Sequence, residues 1–318
     1  MTLIERLTKG DFLVLDGANG TELEARNAPK TSDASWADCS VTHPEIVCAV
    51  HEDYIRAGAD IITTNTYSTG PHVLRQMGRD EMIVPWNTAS VALARKAVAQ
   101  AAPDREVLIA GSASAYGNGA MRYASVDGKY IWGEGDLGQL SANFHEQLSI
   151  LAEAGVDFLQ LEFLGATAED IEAVIPRALE PGLPVVVSLS ATVDDNGTAI
   201  LTDVSSGSTV DAGIDTVRET VRRIAGSGLT AICAMHSEID KIDTILPAIR
   251  AEWDGPLGAY PNRTGFWDGR EWVFTEQVTP QAYADRAKRW AGLGASIIGG
   301  CCGTTPAMIA AVSATLKG

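Results

Sequence analysis

Eight short runs of aliphatic and β-branched residues punctuate the chain: FLVLD (12–16), DIITTNT (60–66), VLIAG (107–111), FLQLEF (158–163), PVVVSLS (184–190), TAICA (230–234), PLGAYPN (256–262) and ASIIGG (295–300). Most are apolar at successive rather than alternate positions, the pattern of strands covered on both faces, as in a parallel sheet. Between them lie stretches with apolar residues at helical spacing, such as VALARKAVAQA (91–101) and FHEQLSILAEAG (144–155). Eight strands alternating with helices predict an α/β fold of the (β/α)8 TIM-barrel type. A doubly wound open sheet usually carries a G-x-G-x-x-G turn after its first strand, and DGANGTE (16–22) lacks that spacing. AGAD (57–60), AGVD (154–157) and LGAS (293–296) read as αβ turns, each with a glycine that ends a helix in the left-handed conformation.

No Ser/Gly/Pro-rich linker divides the chain, so residues 1–318 are read as a single domain. The least regular stretch, 112–138, follows the third strand, and DDNGTAILTDVSSG (194–207) follows the fifth. In a barrel these βα loops surround the active site, and either is a candidate lid.

Composition narrows the classes of function. Of the 318 residues 46% are hydrophobic and 20% charged, enough for an ordinary core and too apolar for disorder. The net charge of −17 repels phosphate backbones and anionic lipid, so neither nucleic acid nor a membrane is an expected partner. The N-terminal MTLIERLTKGD has no signal-peptide h-region, and no run approaches the ~20 apolar residues of a membrane span. A cytoplasmic protein is expected. Five cysteines are too few for a disulfide scaffold, and the adjacent Cys301 and Cys302 suit reduced thiols.

In such a barrel the residues that end the strands share one mouth. Here they are Asp16; Thr64, Asn65 and Thr66; Glu162; Cys233; Asn262; and Cys301 with Cys302. Three thiols from strands six and eight suit Zn2+, which takes thiolate ligands and keeps an open position when catalytic. Neighbouring strand residues point to opposite faces, so Cys301 and Cys302 converge only if the chain bends, as Gly299, Gly300 and Gly303 permit. His236 forms C-x-x-H with Cys233 and is a possible fourth ligand, although a lone loop histidine is more often solvated. Cys39 and Cys48 read as small core residues. Asp16 and Glu162 either cap a turn and pair with a lysine, or hold a substrate ammonium. Trp36, Tyr116, Tyr123, Tyr130, Trp132 and Trp267 fall in loops. Trp132 and Tyr130, in the long loop after strand three, are the rings best placed to face a sulfonium or quaternary ammonium group by cation–π attraction.

LDGANGTELEARN (15–27), THPEIVCAVHEDYIRAGADIITTNTYST (42–69), AYPN (259–262) and GGCCGTTP (299–306) together resemble the homocysteine S-methyltransferase family, in order along nearly the whole chain. The resemblance implies zinc on Cys233, Cys301 and Cys302, and an amino acid held by Asp16 and Glu162. It implies methyl transfer from a small sulfonium or ammonium donor to the thiol of homocysteine, giving methionine. Asn65, Asn262 and Trp132 are expected to line the substrate site. The partners are then a small thiol acceptor and a small methyl donor, and the chain is expected to be a monomer or small homo-oligomer. Folate and cobalamin domains are not expected within a chain of this length. Three positions depart from the family pattern: Ile232 stands where Asn usually precedes the strand-six cysteine, Arg263 follows YPN, and FLGA follows Glu162. All three fall where the acceptor should sit. A member acting on a different thiol or using an unusual methylated amine therefore remains an alternative, as does a barrel that binds zinc or a ligand without turnover.

Overall fold

The structure is a computed structural model that describes residues 1–30, 36–115, 123–126, 129–132, 137–164, 167–202, 215–267 and 272–318, with backbone alone for 123–126, 129–132, 266–267 and 272. Eight parallel strands form its centre: β1 (Leu13–Val14), β2 (Ile61–Thr63), β3 (Leu108–Ser114), β4 (Phe158–Glu162), β5 (Val185–Val193), β6 (Ala231–Glu238), β7 (Leu257–Asn262) and β8 (Ala295–Ile298). Each pairs with its sequence neighbours, β8 returns to β1 through Leu13 and Ile297, and a bridge between Leu15 and Ile61 closes the ring. The eight apolar runs are these eight strands, and the fold is the expected (β/α)8 barrel.

After each strand comes a helix that covers its outer face: Pro44–Arg56, Ile83–Ala101, Leu137–Ala154, Ala168–Leu179, Val217–Ile224, Ile242–Arg250, Pro280–Gly292 and Pro306–Lys317. Helix Pro280–Gly292 shows why these segments fold as they do. Thr279 accepts a hydrogen bond from the Ala282 amide at 3.2 Å, proline occupies the first turn, and Tyr283, Ala284, Ala287 and Trp290 recur on one buried face. Thr216 caps helix Val217–Ile224 in the same way, through the Glu219 amide at 3.0 Å; such a cap contributes about 1 kcal/mol. Glycines 58, 155 and 294, in the αβ turns read from the sequence, have φ of 98°, 89° and 96°.

Strand alternation divides the core in two. Outward residues such as Ile232 and Ala234 pack under the helices, while Leu13, Leu15, Ile61, Leu108, Phe158, Val186, Cys233, Met235, Tyr260 and Ile297 fill the barrel interior. Leu3, from helix Leu3–Lys9, joins the interior group. The interior is therefore solid below the mouth, and chemistry is confined to the C-terminal ends of the strands. Shorter strands are added to these: Ala199–Leu201 pairs antiparallel with β5, Tyr123–Val126 with Lys129–Trp132, and Gly265–Trp267 with Trp272–Phe274. Among the described residues no helix is long and apolar enough to cross a membrane.

Candidate active site

The sixth strand decides which side chains meet at the mouth. It does not stop at Ala234, where the run read from the sequence ends, but continues to Glu238. Cys233 is consequently a mid-strand residue that faces inward, 1% exposed, opposite Ser188 of β5 and Gly258 of β7. A Cβ on Gly258 would lie 2.3 Å from its sulfur, so the thiol fills the space that this glycine leaves. Burial, with the Glu162 carboxylate nearby, pushes the Cys233 thiol far above the ordinary cysteine range.

His236 stands at the mouth instead. Tyr260 opposes Met235 and Asn262 opposes Glu238, so His236 and Ser237 together face the single Pro261, a bulge that re-aims the strand. The His236 backbone is left-handed, with φ of 50°, a conformation that costs a non-glycine residue about 1–2 kcal/mol. Its surroundings hold it there. The Asn262 amide donates to the His236 carbonyl at 3.2 Å, and the Phe163 ring meets the imidazole edge-on at 5.6 Å. The Ser237 hydroxyl donates to the Met235 carbonyl at 2.9 Å and accepts from the Ala191 amide at 3.2 Å, fastening the bulge to β5.

Cys301 and Cys302 follow β8 in a turn bonded to the ends of two other strands, β1 and β7. The Gly300 amide donates to the Asp16 carbonyl at 3.0 Å, the Cys301 amide to the Pro261 carbonyl at 2.9 Å, and the Cys302 amide to the Asn262 side-chain oxygen at 2.9 Å. Gly303, at φ of 78°, takes the left-handed step that lets both thiols face the mouth. The two sulfurs are 3.9 Å apart and unbonded, and the His236 Nδ1 lies 3.7 Å from Cys301 Sγ and 3.9 Å from Cys302 Sγ. Contact with the second thiol, then burial, raises the Cys301 thiol well above its ordinary range.

This triangle fits a metal. Tetrahedral zinc with Zn–S near 2.3 Å and Zn–N near 2.0–2.1 Å requires ligand atoms about 3.6–3.8 Å apart. Two thiols and an imidazole are also a donor set that zinc accepts. Among the described residues His236, Cys301 and Cys302 are the group so placed; Cys233 does not belong to it.

Two buried carboxylates complete the mouth. Asp16 accepts from the Thr63 amide at 2.8 Å and the Thr63 hydroxyl at 2.9 Å, yet burial outweighs these bonds and pushes its pKa up to about 8. Glu162 accepts from the Ser112 hydroxyl, from Gln160 Nε2 at 3.0 Å and from the Tyr260 hydroxyl at 3.0 Å, and burial again raises its pKa. Among the described residues neither is paired with a lysine or arginine. Asp60, at the opposite end of the barrel, has Arg6 at 3.4 Å, Arg105 at 3.5 Å and Lys317 at 2.5 Å. Buried acids without a cation are costly to ionise, and an ammonium ligand would relieve them.

The remaining candidates have bonds to the scaffold or lie outside the described residues. Each polar end of the Asn262 side chain makes one bond, to the His236 carbonyl and from the Cys302 amide, so it braces the two segments that carry the imidazole and the thiols. Asn65 donates to the Trp36 carbonyl at 3.0 Å and the Ser40 hydroxyl at 3.4 Å, and its amide is likewise used by the scaffold. Trp132 pairs through its backbone with Tyr123; its side chain and Tyr116 lie outside the described residues. Arg263 extends over the Phe274 ring at 4.5 Å and donates to the Glu276 carbonyl at 2.9 Å. The roles of Ser112, Gln160 and Tyr260 around Glu162 were not evident in the sequence, although all three share its inward face.

Comparison with known proteins gives the family. A model of the homocysteine S-methyltransferase family matches residues 13–316. Homocysteine S-methyltransferase 2 of Zea mays is 30% identical over 322 residues, covering 97% of this chain and 91% of that protein. Selenocysteine methyltransferase of Astragalus bisulcatus is 29% identical, with 93% and 90% covered. The crystal structure of the homocysteine methyltransferase MmuM from Escherichia coli, metallated form, superposes with a TM-score of 0.76 at 29% identity, over 98% of both chains. With the family model reaching across all eight barrel strands and the helices that follow them, the chain belongs to the homocysteine S-methyltransferase family.

Proposed function

We propose that the protein transfers a methyl group from a small sulfonium or quaternary ammonium donor to the thiol of homocysteine, giving methionine, with zinc held by the thiols at the barrel mouth. The observation that carries this reading is the meeting of a thiol–imidazole group with two buried carboxylates that, among the described residues, have no lysine or arginine partner. Zinc, when bound, would supply the positive charge that converts an ordinary thiol, with pKa about 8.5, into a nucleophilic thiolate.

The chain's own residues do the rest. Asp16 and Glu162 receive the α-ammonium, and its charge draws both carboxyls back to their ionised forms. Ser112, Gln160 and Tyr260 fix the orientation of Glu162 from three sides. The filled interior beneath, with Cys233, Met235 and Tyr260, keeps water from reaching the site from below. In the transfer a C–S bond forms from the sulfur lone pair as the donor's C–S or C–N bond breaks; the electron pair leaves with the donor heteroatom, and the thiol proton goes to solvent. No proton need move at the methyl carbon, so alignment matters more than acid–base help. The free thiols fit a reducing compartment such as the cytoplasm.

The test is methionine formation from homocysteine with S-methylmethionine and betaine as alternative donors. Turnover with at least one of them, and a homocysteine KM raised at least about tenfold in Asp16→Asn, support the reading. Homocysteine left unmethylated by every donor would overturn it. Two similar proteins are named as selenocysteine methyltransferases, so a selenol acceptor belongs in the same panel.

A further inference from the structure

Resting on the reading that the mouth holds zinc, we propose that His236 takes the ligand position that the family resemblance gives to Cys233, so that this centre has two thiolates and one neutral imidazole. The argument begins with reach. A strand rises about 3.3 Å per residue, so Cys233 lies about 10 Å of strand below His236. Its sulfur is enclosed at 1% exposure in the space over Gly258, within the apolar filling of the barrel. Among the described residues the donor atoms within 4.8 Å of one another are those of His236, Cys301 and Cys302, and Cys233 is not one of them.

Every local feature of β6, by contrast, brings His236 to the cysteine pair. The bulge at His236 and Ser237 and the left-handed φ are both departures from a regular strand, and they coincide at this residue. Such strain persists when the surroundings over-determine it, and here the Ser237 hydroxyl, the Phe163 ring and the Asn262 amide do so. Asn262 is the most informative of these contacts. One side chain bonds the His236 carbonyl and the Cys302 amide together, joining the segment that carries the imidazole to the segment that carries the thiols.

The exchange changes the charge of the centre. Zinc with three thiolates carries one net negative charge, whereas zinc with two thiolates and an imidazole carries none. At the neutral centre an incoming acceptor thiol would lose its proton to solvent more readily, because one repelling thiolate would be gone. The imidazole is also a harder donor than thiolate, which widens the range of divalent ions the site holds. The specific consequence for this protein is an acceptor captured as thiolate at lower pH than a three-cysteine centre would allow.

The experiment loads the full-length protein with Zn2+ or Co2+ and compares wild type with Cys233→Ala, His236→Ala and His236→Cys. Bound metal is measured after competition with a chelator, and the sulfur-to-cobalt charge-transfer absorption per bound ion reports the number of thiolates. Wild type and Cys233→Ala should retain one ion per chain with the same absorption. His236→Ala should weaken the ion by at least about tenfold, the low end of what even a supporting contact contributes. His236→Cys should restore binding and raise the absorption per ion by about half, as two thiolates become three; this variant guards against a His236→Ala that merely misfolds. Loss of the ion in Cys233→Ala with wild-type retention in His236→Ala would overturn the proposal and return the site to three cysteines. A wild type that takes up neither ion would overturn the zinc reading itself, whatever the ligand set.

Discussion

Asp16 is the residue at which the structure makes its most quantitative demand. In the folded protein without an amino acid bound, burial raises its pKa to about 8. In the unfolded chain the value is near 3.9. For an acid whose folded pKa is raised, stability is fully present below the unfolded value and is lost as pH rises toward the folded one. Asn mimics the protonated carboxyl and does not titrate, so the difference in unfolding free energy between Asp16→Asn and wild type isolates this group from every other. Each pH unit between about 4 and 8 should widen that difference by about 1.4 kcal/mol in favour of the variant, giving about 3 kcal/mol between pH 5 and pH 7. The assay is urea unfolding of both proteins at pH 5, 6 and 7, without ligand. Homocysteine added at saturation should narrow the gap, since its ammonium favours the ionised wild-type carboxylate. A difference that stays constant across that range would refute the claim that Asp16 is a buried acid awaiting a cation.

Other expectations follow from the same geometry. Asn262→Ala should weaken zinc binding about 10–100-fold with the ligands themselves intact, as measured by chelator competition, because it unties the His236 segment from the Cys302 segment. His51, fully buried with both ring nitrogens unbonded, has its pKa lowered to about 4 by burial. Its contribution is complete above the unfolded value near 6.5 and is lost as pH falls toward 4, worth about 3 kcal/mol; His51→Leu should flatten this part of the acid unfolding profile. Tyr260→Phe removes one of the three bonds to Glu162 and should raise the homocysteine KM severalfold, with kcat changed less, in steady-state assays.

The barrel was legible because each strand is buried on both faces, so its run of apolar residues stands out without reference to any neighbour. Glycines 58, 155 and 294 marked the strand starts equally well, their left-handed turns being a local demand. The cysteine pair could be read for the same reason: the adjacent glycines announce the bend that lets two neighbouring thiols converge. Strand β6 misled the reading at the point where its apolar run ends. Met235 continues the inward face, but His236 and Ser237 are polar, so the strand looked finished at Ala234 and Cys233 looked terminal. The bulge that lifts His236 to the mouth depends on its register against β7 and on the Asn262 side chain, neither of which is encoded within β6. Asn65 and Asn262 were similarly visible as strand-end polar groups. Their bonds to the scaffold were not visible, because the partners are distant in sequence, Trp36 and Ser40 for one, His236 and Cys302 for the other.

The central claim is that thiol methylation occurs at the metal group of the barrel mouth. Its most direct test follows an isotopically labelled methyl group from S-methylmethionine or betaine into methionine while chelated protein is titrated with zinc. The account predicts that labelled methionine formation falls to background in the chelated protein, rises in proportion to zinc up to one ion per chain, and is not recovered in Cys301→Ser at any zinc level. Undiminished turnover in the chelated protein, or full zinc-dependent turnover in Cys301→Ser, would contradict it.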